Sequence, residues 1–87
     1  MSGRPVKRSL TLKGHRTSVS LEDEFWRALR EIAAERGIAI NALAAEIDES
    51  RGLDVGLASA LRVHVLTHFR RALDRGRDRD RDRDHDR

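Results

Sequence analysis

Three polar side chains recur at every second position of one short segment: Arg16, Ser18 and Ser20. The residues between them are less polar, and this period of two predicts a β-strand with one polar and one apolar face. A guanidinium group can donate two parallel hydrogen bonds, whereas a hydroxyl group both donates and accepts. Such a strand face suits the hydrogen-bonding edges of bases in a groove that is wide enough to admit it.

The charge of the chain is unevenly distributed, although its net value is only +3. Residues 1–21 carry five basic side chains and no acidic one. Residues 22–73 carry seven basic and nine acidic side chains, and residues 74–87 carry six of each. A basic end on a mildly acidic body is typical of a protein with one face toward a polyanion. We expect Lys7, Arg8 and Lys13 to contact phosphates. The alternative is a basic end that only aids solubility.

The last segment, residues 74–87, alternates Arg and Asp after Gly76 and has no apolar residue in that run. Because it has nothing to bury, it cannot offset the entropy cost of ordering, and it is predicted to be a disordered tail.

Several function classes are excluded by composition. The chain has no cysteine, which excludes disulfides and thiolate chemistry. No apolar run is long enough to cross a membrane, so a cytoplasmic, nucleoid-associated protein is expected. The sequence shows neither a nucleophile–base pairing nor a phosphate-cradling glycine loop, so we expect no enzyme activity and no cofactor.

Two histidines, His64 and His68, lie four residues apart, a spacing that can place two imidazoles on one metal ion. No third ligand is evident nearby, and both positions border an apolar stripe. Ordinary packing at the edge of a buried face is therefore the favoured interpretation, and no metal site is predicted.

Ahead of the Arg16–Leu21 strand, residues 8–12 also alternate, with Leu10 and Leu12 on one face, and Gly14 provides a turn signal between the two runs. Residues 1–15 are therefore either a basic arm or an extra strand folded back as a hairpin. The sequence leaves both open.

At Glu22 the period changes from two to that of a helix. Phe25, Leu29, Ile32 and Ala33 form one stripe, and Gly37 is expected to end this first helix. A second helix is predicted over Ile40–Ser50. A third is predicted from a cap at Asp54 to about Leu73, on a stripe with strict i+4 spacing: Leu57, Leu61, Val65, Phe69 and Leu73.

A lone strand needs a partner for its backbone hydrogen-bonding groups. A strand followed by two helices with a tight glycine turn therefore suggests pairing across a two-fold axis, in a homodimer or a higher oligomer. Residues 16–51 alone also offer too little apolar surface for a stable monomer.

The segments Arg16–Leu21, the Phe25/Leu29/Ile32 helix and Arg36–Asn41 together resemble the Arc/MetJ/CopG ribbon-helix-helix pattern. A short bacterial subfamily is more similar still, through Lys7–Leu10, Gly14–Ser18, Glu22–Trp26 and Ala60–Arg62. The resemblance covers residues 16–51 and extends to about residue 69. It implies a mainly helical fold with a short β-ribbon, an intertwined dimer and, here, a third C-terminal helix within residues 16–73.

The resemblance also implies a function, namely sequence-specific binding of double-stranded DNA by the ribbon in the major groove, as in a transcriptional repressor. In that family the outward strand residues read bases, which corresponds to Arg16, Ser18 and Ser20. The start of the second helix holds a phosphate through backbone N–H groups, which corresponds to Ile38, Ala39, Ile40 and Asn41. The chain departs from the pattern at Ala39, where a capping Ser or Thr is usual. The alternative is an antitoxin-like or adaptor dimer that binds a protein through helix 54–73.

Overall fold

The computed structural model describes the backbone of residues 3–85 and the side chains of residues 3–76. Two strands come first, β1 (Val6–Leu12) and β2 (His15–Leu21), followed by the helices α1 (Asp23–Arg36), α2 (Ile40–Ser50) and α3 (Leu57–His85). The predicted class is confirmed: a mainly helical fold with an N-terminal two-stranded antiparallel ribbon and three helices.

The ribbon is formed within one chain. Strand β1 pairs with β2 in an antiparallel register that runs from Val6 opposite Leu21 to Leu12 opposite His15. The two turn residues both have positive φ, 51° at Lys13 and 82° at Gly14, as a tight two-residue hairpin loop with the twist of the strands requires. Of the two alternatives left open for residues 8–13, the extra strand is therefore correct and the free arm is not.

This pairing also changes the reason for expecting a dimer. The backbone groups of β2 that face β1 are satisfied by the same chain, so the ribbon itself does not need a second copy. Each strand keeps one further edge, and pairing across a two-fold axis at such an edge stays a prediction.

Helix α1 ends where the sequence indicates. Gly37 has a left-handed φ of 68°, and its N–H donates to Ala34 O. The N–H of Ile38 donates to Ala33 O at 3.0 Å, which completes a glycine-based C-terminal cap. Because this cap turns the chain sharply, α2 begins three residues later and packs back against the same core.

The bounds predicted for α2 are those observed, but both ends of α3 differ from the prediction. Asp54 does not cap it, because α3 begins at Leu57 and the Gly56 carbonyl accepts the first helical bond, from Ala60 N at 3.0 Å. The helix continues to His85 instead of ending near Leu73, so the helical assignment extends into the segment predicted to be disordered. No Gly or Pro follows Gly76, so the sequence has no strong helix breaker there.

One apolar core joins all five elements. It contains twelve buried side chains: Leu10, Leu12, Val19 and Leu21 from the ribbon, Leu29, Ile32 and Ala33 from α1, Leu43, Ala44 and Ile47 from α2, and Leu61 and Val65 from α3. The ribbon therefore lies on the helices with one face covered and the other exposed.

The predicted apolar stripe of α3 is only partly buried. Leu61 and Val65 lie in the core, but Phe69 is 38% and Leu73 is 62% exposed. At 3.6 residues per turn, each i+4 step advances about 40° beyond a full turn, so a strict i+4 series winds slowly around the helix. From Leu57 to Leu73 the series rotates by about 160° around the helix axis, so the core of this domain cannot cover all five side chains. The expectation of a single buried stripe is therefore corrected.

Candidate nucleic-acid interface

The exposed face of the ribbon carries polar side chains from both strands. The register sets Lys7 opposite Ser20, Ser9 opposite Ser18, and Thr11 opposite Arg16. Because neighbours along a strand point to opposite faces, these six lie on one face and Leu10, Leu12, Val19 and Leu21 lie on the other. The six are all exposed, so the face presents two long cationic side chains and four hydroxyl groups.

The two cations occupy diagonal corners of this face, because Lys7 and Arg16 belong to opposite strands at opposite ends. The rows that contain them are four residues apart along the strands, or roughly 13 Å. Within the part of the chain that the structure describes, no hydrogen bond or ion pair is recorded for either side chain. Both are therefore available to an external acceptor.

Two residues of this face, Ser9 and Thr11, were missed in the sequence analysis. The alternation of residues 8–12 contained the signal, but it could be used only if that segment was a strand. The turn fixes the register, and the register sets Ser9 and Thr11 beside Ser18 and Arg16.

Arg8 does not lie on the exposed face. It shares the core side of β1 with Leu10, its Nη2 donates to Asp23 Oδ1 at 3.2 Å, and its guanidinium lies 5.3 Å from the Trp26 ring centre. Its Nε is buried without a partner among the described atoms. This arrangement ties the start of β1 to the start of α1 and gives Arg8 a partner within the chain, and the phosphate contact expected of Arg8 stays a prediction.

Lys13 is at the tip of the hairpin, where its ammonium group pairs with the Glu49 carboxylate near the end of α2. Both side chains are more than half exposed, so the pair is weak and open to competition from a phosphate. A phosphate contact by Lys13 stays a prediction.

The start of α2 lies beside the edge of β1. Its N-cap residue, Ala39, makes no side-chain cap, and no acidic residue occupies the first turn. The first N–H groups of a helix have no partner within the helix, and none is recorded for those of Ile40 and Asn41 among the described residues, so they can bind an anion. Ile38 differs, because its N–H already closes the end of α1.

Asn41 has a structural role that its sequence position did not indicate. Its Oδ1 accepts a hydrogen bond from the Thr11 backbone N–H at 3.2 Å. This bond closes part of the outer edge of β1 and holds the N-terminus of α2 at the level of the Thr11–Arg16 row. The phosphate-binding group proposed for α2 is therefore held beside the exposed face.

The histidine pair of α3 lies away from this interface. His68 Nε2 is 3.2 Å from Glu35 Oε2, and the His68 ring contacts Phe69 edge-on. Among the residues that the structure describes, no group of three or more His, Cys, Asp or Glu side chains has the arrangement of a metal site.

His64 has a lowered pKa. Partial burial is the main cause, and the nearby His68, Arg36 and Arg71 lower the pKa further, whereas Glu46 opposes them. The folded protein therefore binds a proton at His64 less readily than the unfolded chain does, whose pKa is about 6.5.

Stability should consequently fall on mild acidification. A group whose pKa is lowered by folding contributes stability above its unfolded pKa, and this contribution is lost as pH falls through the folded value. We expect the urea midpoint to decrease between about pH 7.5 and about pH 5.5, and less so in His64→Gln. His15→Gln, in the exposed hairpin, is the control. An identical pH dependence in wild type and His64→Gln would contradict this assignment.

Comparison with known proteins agrees with the geometry. A family model described as the ribbon-helix-helix domain matches residues 5–69, which is most of the chain. The protein therefore belongs to the ribbon-helix-helix family. Such domains typically bind DNA as dimers, in transcriptional regulators or antitoxins, and are generally non-catalytic. A search of curated proteins and a search of solved structures each found no match.

The described helices were also compared with the length and hydropathy that a membrane span needs. None of them is both long and apolar enough to cross a bilayer.

Proposed function

We propose that this chain binds double-stranded DNA sequence-specifically, with the exposed face of the β1–β2 ribbon in the major groove, and that it acts as a transcriptional regulator. The observation that carries the proposal is the composition of that face. It holds Lys7 and Arg16 at diagonal corners with hydroxyl groups between them, and the opposite face contributes Leu10, Leu12, Val19 and Leu21 to the core.

The dimensions of the ribbon suit this role. Two paired strands lie about 4.8 Å apart and seven residues extend roughly 23 Å, whereas the major groove of B-DNA is about 12 Å wide. A two-stranded ribbon therefore fits within the width of the groove, with its exposed face toward the edges of the base pairs.

Each outward side chain has a suitable partner on a base. Arg16 can fork onto the O6 and N7 atoms of guanine, and the serines can donate to or accept from either kind of base pair. Lys7, at the other end of the ribbon, supplies a second cation that can serve a base edge or a phosphate. The free N–H groups at the start of α2 supply a backbone contact that sets the register on the duplex.

The second candidate function, an antitoxin-like or adaptor protein, is consistent with the family. Its surface would be α3, on which Val63, Leu66, Phe69 and Leu73 are exposed. The two candidates differ in whether the ribbon face or the helix carries the activity.

The proposal predicts steep salt dependence. After selection of bound duplexes from a randomised pool, the affinity for the selected duplex should fall linearly with salt on logarithmic axes, by a slope of about 0.9 per phosphate contact. Lys7→Ala should reduce affinity. If Lys7 meets a phosphate, the salt slope should also decrease by about one contact for every duplex alike.

Arg30→Ala is the matched control, because Arg30 is an exposed cation on α1, on the covered side of the ribbon. It should leave both the affinity and the slope nearly unchanged. DNA binding as the main function would be refuted if the wild-type protein enriched no duplex from the randomised pool and bound the pool no more tightly than Lys7→Ala does.

A further inference from the structure

A hollow on the side of α3 is lined by five side chains, each of which can donate a hydrogen bond. The hollow has a volume of about 220 Å³, and its lining residues are His64, Thr67, His68, Arg71 and Arg75. At 3.6 residues per turn these positions fall within an arc of about 100°, so the five side chains share one strip of the helix. We call this set the α3 donor strip.

A second hollow adjoins the donor strip and adds an apolar wall. It has a volume of about 460 Å³ and lies where the end of α2 and the connection to α3 meet the side of α3. His64, Thr67 and Arg71 line both hollows, which places them side by side. The apolar wall consists of Ile47, Val55, Ala60 and Val63. Small-molecule sites typically have volumes of roughly 300–1,000 Å³ and combine apolar walls with a few polar groups, and this pair of hollows has both properties.

Two carboxylates lie near the donor strip, and both are already engaged within the chain. Glu35 Oε2 is 3.2 Å from His68 Nε2. The two carboxylate oxygens of Glu46 accept hydrogen bonds from the Arg36 guanidinium, at 2.7 and 3.1 Å. A third carboxylate, that of Asp74, is exposed and lines neither hollow.

The two arginines of the strip have no such partner. No hydrogen bond or ion pair is recorded for Arg71 or Arg75 among the residues that the structure describes. Like charges four residues apart on a helix repel each other. A bound anion relieves this repulsion, and a guanidinium suits a phosphate in particular because it can donate two parallel hydrogen bonds to it.

His64 responds to the electrostatic potential of the strip. Partial burial is the main cause of its lowered pKa, and the nearby His68, Arg36 and Arg71 lower the pKa further, whereas Glu46 opposes them. Most of the charges around this imidazole are therefore positive. A concave surface with charges of one sign concentrates ions of the opposite sign, so the strip attracts anions.

We propose that the donor strip and the apolar hollow beside it bind a phosphate ester of a small organic molecule. Arg71 and Arg75 bind the phosphate, Thr67 donates its hydroxyl hydrogen to it, and the organic group packs against Ile47 and Val55. None of the residues that line the two hollows belongs to the ribbon. The site is therefore separate from the proposed DNA interface, and it is tested without DNA.

Phenyl phosphate is the probe, and inorganic phosphate and phenol are its two parts. Each is titrated into the full chain at pH 7.5 and constant ionic strength, and the imidazole signals of His64 and His15 are followed by nuclear magnetic resonance. Phenyl phosphate should shift the His64 signal saturably, at lower concentrations than either part, and should leave His15 in the hairpin unchanged. The proposal would be overturned by equal responses of the two histidines, by no saturable shift, or by a phenyl phosphate affinity no higher than that for inorganic phosphate.

Arg71→Gln should weaken the binding of phenyl phosphate about five- to tenfold, because one guanidinium–phosphate contact is lost. Arg70→Gln is the matched control. It removes the same charge at the preceding residue, which is also exposed but lines neither hollow, and it should leave the affinity nearly unchanged. Glutamine is a good helix former, so both variants should fold. Equal weakening in the two variants would show general attraction of anions and would refute the site.

The same two variants distinguish a small phosphate ester from the phosphates of a DNA backbone. If the strip met a DNA backbone, Arg71→Gln would bind a random-sequence duplex more weakly than Arg70→Gln does, and its salt slope would be lower by about one contact. We expect the two variants to have the same duplex affinity and the same slope. A selective loss in Arg71→Gln would assign the strip to DNA and overturn the proposal, whereas the role of the ribbon is judged separately, by duplex selection with Lys7→Ala.

Discussion

Arg16→Ala should abolish most of the sequence preference of DNA binding. Arg16 is the single arginine on the exposed face of the described ribbon, and its guanidinium has no recorded partner among the described residues. Loss of a bidentate contact to guanine should cost about 1–3 kcal/mol per contact, which is roughly fivefold to 150-fold in affinity. A dimer presents the residue twice, so the measured loss can reach twice that free energy.

The measurement compares the selected duplex with a scrambled duplex, by titration at one salt concentration. Arg16→Ala should bring the two affinities close together, whereas Arg30→Ala should leave their ratio unchanged. Val19→Ala, beneath the ribbon, should lower stability before it lowers specificity. A retained preference in Arg16→Ala would show that other side chains read the sequence, and the assignment of this face would have to be abandoned.

Leu61→Ala should cause a large loss of stability. Leu61 is fully buried, and it belongs to the part of α3 that contacts the core formed by the ribbon, α1 and α2. Replacing a buried leucine by alanine removes apolar contacts and leaves a cavity, which typically costs about 2–5 kcal/mol. Against the marginal stability of a domain of this size, such a loss would unfold a large fraction of the protein.

The free energy of unfolding can be followed by urea titration with the fluorescence of Trp26, the sole tryptophan of the chain. Leu53→Ala, at a fully exposed leucine, should change it by a few tenths of a kcal/mol at most. If Leu61→Ala cost no more than Leu53→Ala, α3 would not belong to the cooperative unit, and the core would have to close without it.

The local patterns of the sequence determined the elements and the outward face of β2. Alternation over Arg16–Leu21, the change of period at Glu22 and the glycine at position 37 each follow from backbone geometry within a few residues. Side chains alternate on a strand, repeat every 3.6 residues on a helix, and a left-handed φ favours glycine. Such constraints act within a few residues, so they predict helices, strands and turns without knowledge of the tertiary packing.

The tertiary structure alone decided which elements meet. Residues 6–12 had the alternation of a strand and the charge of an arm, and only their hydrogen bonds to β2 showed which they form. Lys7 and Arg8 are neighbours of like charge, yet they lie on opposite faces because side chains alternate along a strand, and only the pairing with β2 showed that this segment is a strand. The Asp23 carboxylate then holds Arg8 on the inner side.

The rotation of α3 is the clearest case. Its strict i+4 series suggested one buried stripe, but each i+4 step advances about 40° beyond a full turn, and the members of the series after Val65, which are Phe69 and Leu73, are exposed. Periodicity can state that a helix has an apolar side, because that depends on the helix alone. How far along the helix that side stays covered depends on the size of the body beneath it, and only the packed structure determines that.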